Sequence, residues 1–472
     1  MGKYKTLGKN SLFVMLGTFG SKFISFLMLP LYTSWLSVSD FGLTDLLTIY
    51  STLLVSVFSL SLNESIFVFP ARQSKLEQSK YFSSGLCAMS FMAIVVLALS
   101  YVTRILSVRF HVSNTFTDNL LLIYSLFFAT AFQSYLQMFC QGINRMKTFC
   151  FAGVIFTGLT AAFSFLLIPR FGVNGFVGSN VLANICSSIF IVVYEKLYSF
   201  FSLRYFNKES LREMLAYSIP MIPNTIMWWV LSAINRPILN AHLGLEAIGL
   251  FAVANKISSA LTSVTQIFTS SWQVSVLQEY GKDGFAVFFN KVGNLYISIL
   301  ILLSSSMAIF SQIIMKIAVD VKFFDAWKYL PIISVAVIFN GLASHAGTLF
   351  SATKTSKYFF FSSAVGAICS VFFNILLIPY WGLYGAAISF TLSQMTIGLY
   401  RVFYANRIIK FDDMKFLVFL LFVNICIIVL ILNGEWLYSI VLYIGGLATY
   451  IVMNRMILRK FFVGILNHKK IF

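Results

Sequence analysis

The sequence predicts an all-α integral membrane protein of about 14 transmembrane helices, with two parallel six-helix halves followed by a C-terminal helix pair. Three observations predict it. Of the 472 residues, 59% are hydrophobic and only 11% are charged, whereas soluble domains carry roughly 25% charged residues. Apolar stretches of roughly 20 residues, long enough to cross a bilayer, recur from residue 8 almost to the C-terminus. Finally, one ten-residue pattern occurs twice.

The repeated pattern runs from Leu166 to Gly175 and again from Leu376 to Gly385, an offset of 210 residues. Each copy reads Leu-Leu-Ile-Pro followed by two glycines, so a proline is expected to end a helix and the glycines to allow a tight return. A second set of matches lies earlier in each half at an offset of 207 residues: Pro30, Leu36, Gly42 and Leu43 with Pro237, Leu243, Gly249 and Leu250. Both copies run in the same direction, which predicts parallel halves.

The predicted spans cover residues 8–35, 42–68, 82–103, 117–142, 148–169, 174–195, 214–240, 247–275, 292–315, 329–350, 358–379, 383–400, 416–432 and 436–454. They divide the chain into an N-terminal half (1–205), a C-terminal half (206–410) and an extra helix pair with a cytoplasmic tail (411–472). Of 34 basic residues, 25 then fall on one side, six on the other and three within spans. The positive-inside rule makes the basic side, with both termini, cytoplasmic. This asymmetry explains the net charge of +18 without nucleic acid.

Three basic residues lie inside predicted spans, namely Lys22, Arg236 and Lys256. A charge at mid-membrane costs roughly 2.5–3.5 kcal/mol on insertion scales, so each is a functional candidate. Together they predict a cationic, substrate-binding cavity suited to an anionic cargo. The structural alternative is that Arg236 snorkels outward and that Lys256 pairs with a carbonyl or an acid.

Further polar residues in the spans supply candidates for two other roles. Asn63, Asn235 and Asn255 are candidates for binding a glycan in a polar cavity, although bonding between helices explains most such residues. Glu64 and His345 are candidates for ion coupling, because both side chains can exchange a proton. The six cysteines contain no CxxC pair, so neither a disulfide framework nor a metal site is indicated, and no cofactor motif is present.

Two stretches of the sequence resemble the polysaccharide flippases. The first runs through Asn10-Ser11-Leu12, Gly17, Gly20, Ser21, Lys22, Leu29-Pro30-Leu31-Tyr32 and Asp40-Phe41-Gly42-Leu43. The second runs through Ile219-Pro220-Met221-Ile222-Pro223-Asn224, Asn235-Arg236, Gly249-Leu250-Phe251 and Lys256. The family is that of the O-antigen and capsule repeat-unit flippases, within the multidrug/oligosaccharidyl-lipid/polysaccharide exporter superfamily. Its members often carry an acid just before the arginine, where this chain has Asn235.

The resemblance implies a flippase that moves undecaprenyl-pyrophosphate-linked oligosaccharide repeat units from the inner to the outer leaflet of the bacterial cytoplasmic membrane by alternating access. Its partners would then be the lipid bilayer, the lipid-linked glycan of lipopolysaccharide or capsule, and a glycan polymerase with its chain-length machinery. The alternative is an ion-coupled multidrug-type antiporter of the same fold. Such an antiporter is expected to line its cavity with acidic residues that bind cations, whereas basic residues predominate here. An enzyme is not expected, because no paired carboxylates, metal cluster or nucleophile with a partner base stands out.

Overall fold

The computed structural model describes residues 20–110, 114–411 and 415–453, and within these ranges it contains helices and no strand. The α-helices are α1 (residues 20–27), α2 (Leu29–Trp35), α3 (Val38–Phe58), α4 (Leu62–Val68), α5 (Lys75–Phe110), α6 (Thr115–Asp118), α7 (Leu120–Gly142), α8 (Met146–Tyr194), α9 (Lys208–Ser218), α10 (Ile222–Ala233), α11 (Asn235–Glu279), α12 (Phe285–Ile309), α13 (Ser311–Ala318), α14 (Leu330–Ala352), α15 (Lys357–Ala405), α16 (Lys415–Leu432) and α17 (Trp436–Met453). Short 3-10 segments occur at Leu197–Ser199, Leu203–Tyr205, Ile219–Met221 and Val321–Lys328. The start of the first predicted span, the motif residues from Asn10 to Gly17 and the basic residues of both chain ends lie outside the described ranges.

Nine helical segments in the described ranges are long and apolar enough to cross a membrane. Three of them hold two predicted spans each: Met146–Tyr194, Lys208–Glu279 and Lys357–Ala405. The first and last predicted spans correspond to residues 20–35 and to the apolar helix α17. Every predicted span therefore has a helical counterpart, and the predicted all-α membrane fold is confirmed.

The repeated pattern forms the same local structure in α8 and α15, which are both 49 residues long. Gly172 has φ 53° and ψ −125°, and Gly382 has φ 55° and ψ −129°. Residues with a Cβ rarely adopt this conformation. The two ends of α8 lie close together. The Thr148 hydroxyl donates a hydrogen bond to the carboxylate of Glu195, 47 residues later. The glycine thus folds α8 into two antiparallel spans, as the pattern predicts.

The turn that precedes each of these helices is also duplicated. Asn144 and Lys354, 210 residues apart, both adopt the left-handed conformation, with φ 63° and 57°. In each turn the next amide bonds to a carbonyl five residues back: Arg145 to Cys140 at 2.7 Å and Thr355 to Phe350 at 2.9 Å. These bonds cap the ends of α7 and α14 as a Schellman motif does. The two halves therefore share backbone geometry where their side chains differ.

The earlier set of matches marks a symmetric crossing of α3 and α11. A Cβ on Gly42 would collide with the Leu245 carbonyl, and one on Gly249 would collide with the Val38 carbonyl. The two contacts are related by the same offset of 207 residues. Equivalent positions of the two repeats therefore contact each other reciprocally, as in an isologous interface. Glycine is needed at both positions because two helix backbones touch there.

Helix interruptions accompany the matched prolines Pro30 and Pro237. The helical pattern breaks at Met28 and again at Ile234, and each proline lies in the first turn of the segment that follows. Proline lacks the amide that would bond across the break. The second predicted span is also interrupted, at Leu60 and Ser61, which both have a left-handed conformation. The predicted span 42–68 therefore comprises α3 and the short helix α4, and α3 alone, with 21 residues, is roughly 30 Å long.

The chain folds into two compact units. One reaches Val253 and includes Ala318–Phe323 and Ser370–Gly382, whereas the other comprises Ala254–Ile317, Phe324–Cys369 and the residues from Leu383 onwards. The first has an aromatic core in which the rings of Phe82 and Phe139 lie 4.5 Å apart. The second has cores built mainly from α12, α14 and α16. The boundaries predicted at residues 205 and 410 stay predictions, because compactness does not test where a repeat begins.

Candidate functional site

Arg236, the second residue of α11, is 96% buried and fully engaged by neighbouring groups. Its Nε donates to Asp45 Oδ2 at 3.2 Å, which also forms an ion pair. Its Nη1 donates to the Ser232 carbonyl at 2.6 Å and to Asn235 Oδ1 at 2.9 Å. The guanidinium lies 4.9 Å from the centre of the Phe251 ring. Arg236 therefore does not snorkel, and its charge is neutralised inside the first unit.

Asp45, the partner of Arg236, is a candidate site residue that the sequence analysis did not single out. It lies in α3, one turn from the Gly42 crossing, and 191 residues separate it from Arg236. The carboxylate thus comes from another helix, while Asn235 occupies the neighbouring position and bonds to the same guanidinium. A signal was present, because Asp45 is ionisable and lies within a predicted span, as Glu64 does. The arginine's partner is supplied by folding.

Lys22 and Lys256 are both half-buried. Lys22 lies in α1, beside Ser21, whose hydroxyl donates to the Gly153 carbonyl at 3.4 Å. Lys256 lies in the long second arm of α11, and its carbonyl accepts a bond from Ser259. Lys22 and Arg236 belong to the first unit and Lys256 to the second. A cavity shared by all three remains a prediction.

The polar pair in α4 splits into two environments. Asn63 is half-buried, and its side-chain amide donates to Ser134 Oγ on α7 at 3.1 Å, so it joins two helices. Glu64 is exposed in the first turn of α4. The left-handed residues that end α3 place both side chains beyond the end of the second span's main helix. Asn255, next to Lys256, is half-buried in the second unit.

His345 lies in α14, only 2% exposed, within aromatic rings of the second unit. Its ring is stacked on Trp272 at 5.4 Å and lies 4.2 Å from the Phe289 ring, while Gly293 leaves room for its Nε2. Among the described residues, neither ring nitrogen has a hydrogen-bond partner. At the matching position in the first half, the Tyr135 hydroxyl donates to a backbone carbonyl at 2.9 Å. Packing accounts for the position of His345, and its role in ion coupling stays a prediction.

A second buried arginine was assigned to a loop by the sequence. Arg401 lies in α15 and is only 6% exposed, so the predicted end of that span at residue 400 is too early. Its Nε donates to Ser362 Oγ at 2.9 Å and its Nη1 to the Ala343 carbonyl at 3.3 Å. Its guanidinium also lies 4.9 Å from the Phe359 ring centre. Arg401 thus joins both arms of α15 to α14.

In the part of the chain that the structure describes, no group of three or more His, Cys, Asp or Glu side chains could hold a metal ion. The apolar helices, the duplicated fold-backs in α8 and α15 and the symmetric glycine crossing are those of a multi-pass helical membrane protein built from a repeated unit.

The chain belongs to the polysaccharide biosynthesis protein family, whose model matches residues 7–273. Its fold is similar to that of the lipid II flippase MurJ in an inward-closed conformation, with a TM-score of 0.71, 13% identity, and coverage of 95% of this chain and 99% of that one. It is also similar to an inward-facing multidrug resistance MATE transporter of the MOP superfamily (TM-score 0.62, 13% identity, coverage 84% and 94%) and to a Vibrio cholerae MATE transporter (0.57, 12%, 88% and 100%). No curated protein sequence matches significantly. These structural neighbours are a flippase and transporters, and the resemblance stated from the sequence is confirmed.

Proposed function

We propose that the protein is a flippase for undecaprenyl-pyrophosphate-linked oligosaccharide repeat units, which it moves from the inner to the outer leaflet by alternating access. The observation that carries this proposal is the family match over residues 7–273, together with a fold that covers 99% of a lipid II flippase. A lipid-linked glycan with a diphosphate is an anionic, amphiphilic cargo. The excess of basic residues, with a net charge of +18, suits such a cargo.

Within this proposal Lys22, Arg236 and Lys256 bind the diphosphate, and the amides of Asn63, Asn235 and Asn255 bind sugar hydroxyls. The ion pair between Arg236 and Asp45 gives the proposal a physical step. Without cargo, Asp45 compensates the buried guanidinium. A phosphate that reaches the site replaces the carboxylate, because both anions match the planar guanidinium. Asp45 thereby acts as an internal competitor that sets how strongly the cargo is held.

The finer details of the proposal follow from the resemblance to O-antigen and capsule flippases. They are a bacterial inner-membrane location, cytoplasmic termini, a cargo destined for lipopolysaccharide or capsule, and cooperation with a glycan polymerase and chain-length machinery. Glu64 and His345 remain the candidates for ion coupling. The fold similarity to MATE transporters favours one alternative, an ion-coupled multidrug antiporter.

The proposal is tested by measuring the amount of glycan at the cell surface. The strain used lacks the chromosomal gene for this protein and expresses either the unmodified protein or a variant. The variant K22A/R236A/K256A is expected to reduce exported glycan at least about tenfold, since each hydrogen bond to a charged group contributes roughly 1.5–3 kcal/mol. The control variant K147A/K282A/K291A removes as many positive charges from exposed lysines on the basic side and is expected to export normally. Normal export by the first variant at normal protein levels contradicts the cationic site. Export of cationic dyes without any glycan defect in the deletion strain supports the antiporter instead.

A further inference from the structure

The segment between α8 and α10 carries large apolar side chains on its surface, and those before α9 lie outside the helical segments long enough to cross a membrane. Leu203 is 73% exposed at a 3-10 turn, and Phe201 and Phe206 are 42% and 41% exposed. Water would disfavour such side chains, whereas the interface of a bilayer accommodates them. Lys196, Arg204, Lys208 and Arg212 share the segment. The segment therefore combines exposed apolar and basic side chains, a combination that suits the interface of a bilayer.

Within this segment α9 is held in a fixed orientation. Met214 is fully buried on its inner face, and Ser210 and Ser218 are buried beside it. Glu213 accepts a hydrogen bond from the Tyr81 hydroxyl at 2.7 Å. At the start of the helix, the backbone amide of Asn207 donates to Ser84 Oγ at 2.8 Å. The outer face of α9 is thus set by packing of the inner face against α5.

The outer face of α9 and the turn that follows it carry an open, surface-exposed groove of about 480 Å³. Lys208 and Arg212 lie one helical turn apart at one end, and both are exposed. The remaining lining is apolar: Leu211, Leu215, Ala216, Ile219 and Pro220. Two cations followed by an apolar surface are complementary to a ligand with an anionic head joined directly to a hydrocarbon chain.

We propose that this groove, here called the α9 groove, binds the prenyl diphosphate end of the lipid-linked cargo before translocation, a step that rests on the proposed flippase function. Lys208 and Arg212 donate to the two phosphates, and the first isoprene units lie along Leu211, Leu215 and Ile219. The glycan then projects into the aqueous phase on the basic side. The groove serves as a capture site at the membrane surface, separate from the residues inside the spans.

Charge favours a prenyl diphosphate over a bulk phospholipid. A diphosphate presents two anionic groups to two cations, whereas a phosphodiester headgroup carries one and leaves one cation uncompensated. A surface that attracts anionic phospholipid in general is made instead of clusters of 4–8 basic residues, as a rough rule.

Binding of farnesyl diphosphate to the full-length protein in detergent tests the proposal. Saturable binding is expected, with affinity reduced about tenfold or more in K208Q/R212Q and about threefold in each single variant, because charge-assisted bonds are lost. The conservative variant K208R/R212K is expected to keep the affinity. K147Q/K291Q, which removes two exposed lysines of α8 and α12 outside the groove, is also expected to keep the affinity. Farnesol and inorganic diphosphate, which each supply half of the ligand, should bind at least about tenfold more weakly.

Two results overturn the proposal. One is unchanged affinity in K208Q/R212Q, or in both single variants should the double variant not fold. The other is displacement of the probe by phosphatidylglycerol at equal concentration, which makes the groove a phospholipid site. Neither result touches the proposed function, because glycan export by the unmodified protein is measured independently. Loss of export in K208Q/R212Q, with retention in K208R/R212K, would place the groove on the transport route.

Discussion

The ion pair between Arg236 and Asp45 is the best-defined charged contact inside the spans, and it can be tested by a double-mutant cycle. The Arg236 side chain is 5% exposed and that of Asp45 28% exposed. Removing one partner of a fully buried pair costs about 3–5 kcal/mol. Here water reaches Asp45, and Arg236 keeps the Ser232 carbonyl and Asn235 Oδ1 as acceptors. We therefore expect Asp45→Asn to cost about 1–2 kcal/mol.

Arg236→Gln should cost less, about 1 kcal/mol, because the carboxylate left behind is partly hydrated. The double variant D45N/R236Q should be less destabilised than the sum of the single changes by about 1 kcal/mol, the coupling energy of the pair. Melting of the detergent-purified protein provides the measurement, with about 2–4 °C per kcal/mol expected for a unit of this size. Additivity of the two changes within about 0.5 kcal/mol would refute the pairing.

Two glycine pairs give further predictions. Gly42→Ala and Gly249→Ala should each destabilise the protein by about 1–3 kcal/mol, because the added methyl meets a backbone carbonyl at the crossing of α3 and α11. Gly158→Ala, where nothing lies within 4 Å, is the control, and equal melting temperatures for all three would contradict the crossing. Gly172→Ala and Gly382→Ala should each cost about 1–3 kcal/mol through backbone strain, since both glycines have positive φ. An unchanged melting temperature for both variants would contradict the prediction that a side chain strains the backbone at these two positions.

Local features of the chain were predictable because their physical cause is local. The proline and glycines of the repeated pattern indicated a return, and Gly172 and Gly382 adopt the same conformation with positive φ. Apolar length indicated the spans, and the offset of 207 residues singled out Gly42 and Gly249 before their contact was known. Each of these inferences uses either a residue's own conformational preference or a repeat along the chain.

The features that the sequence did not reveal all depend on contacts with another part of the fold. The bend at Leu60 and Ser61 carries no glycine or proline, so only the packing of the finished fold explains two left-handed residues there. Arg401 reads as a loop residue until Ser362 and the Ala343 carbonyl surround its guanidinium. Neither partner lies within 35 residues of it, as the separations of 39 and 58 residues show. Sequence spacing cannot reveal such a contact.

The sequence alone determined that this is a repeated, multi-pass helical membrane protein with three costly cations inside its spans. Composition and periodicity suffice for that, since a bilayer leaves the backbone few alternatives to a helix. Only the tertiary structure decided what surrounds each charge. Asp45 reaches Arg236 from a helix 191 residues earlier. The α9 groove likewise exists only because Met214 and Glu213 hold the inner face of that helix against the protein. A charge is visible in the sequence, but its compensation depends on distances that the chain acquires only when it folds.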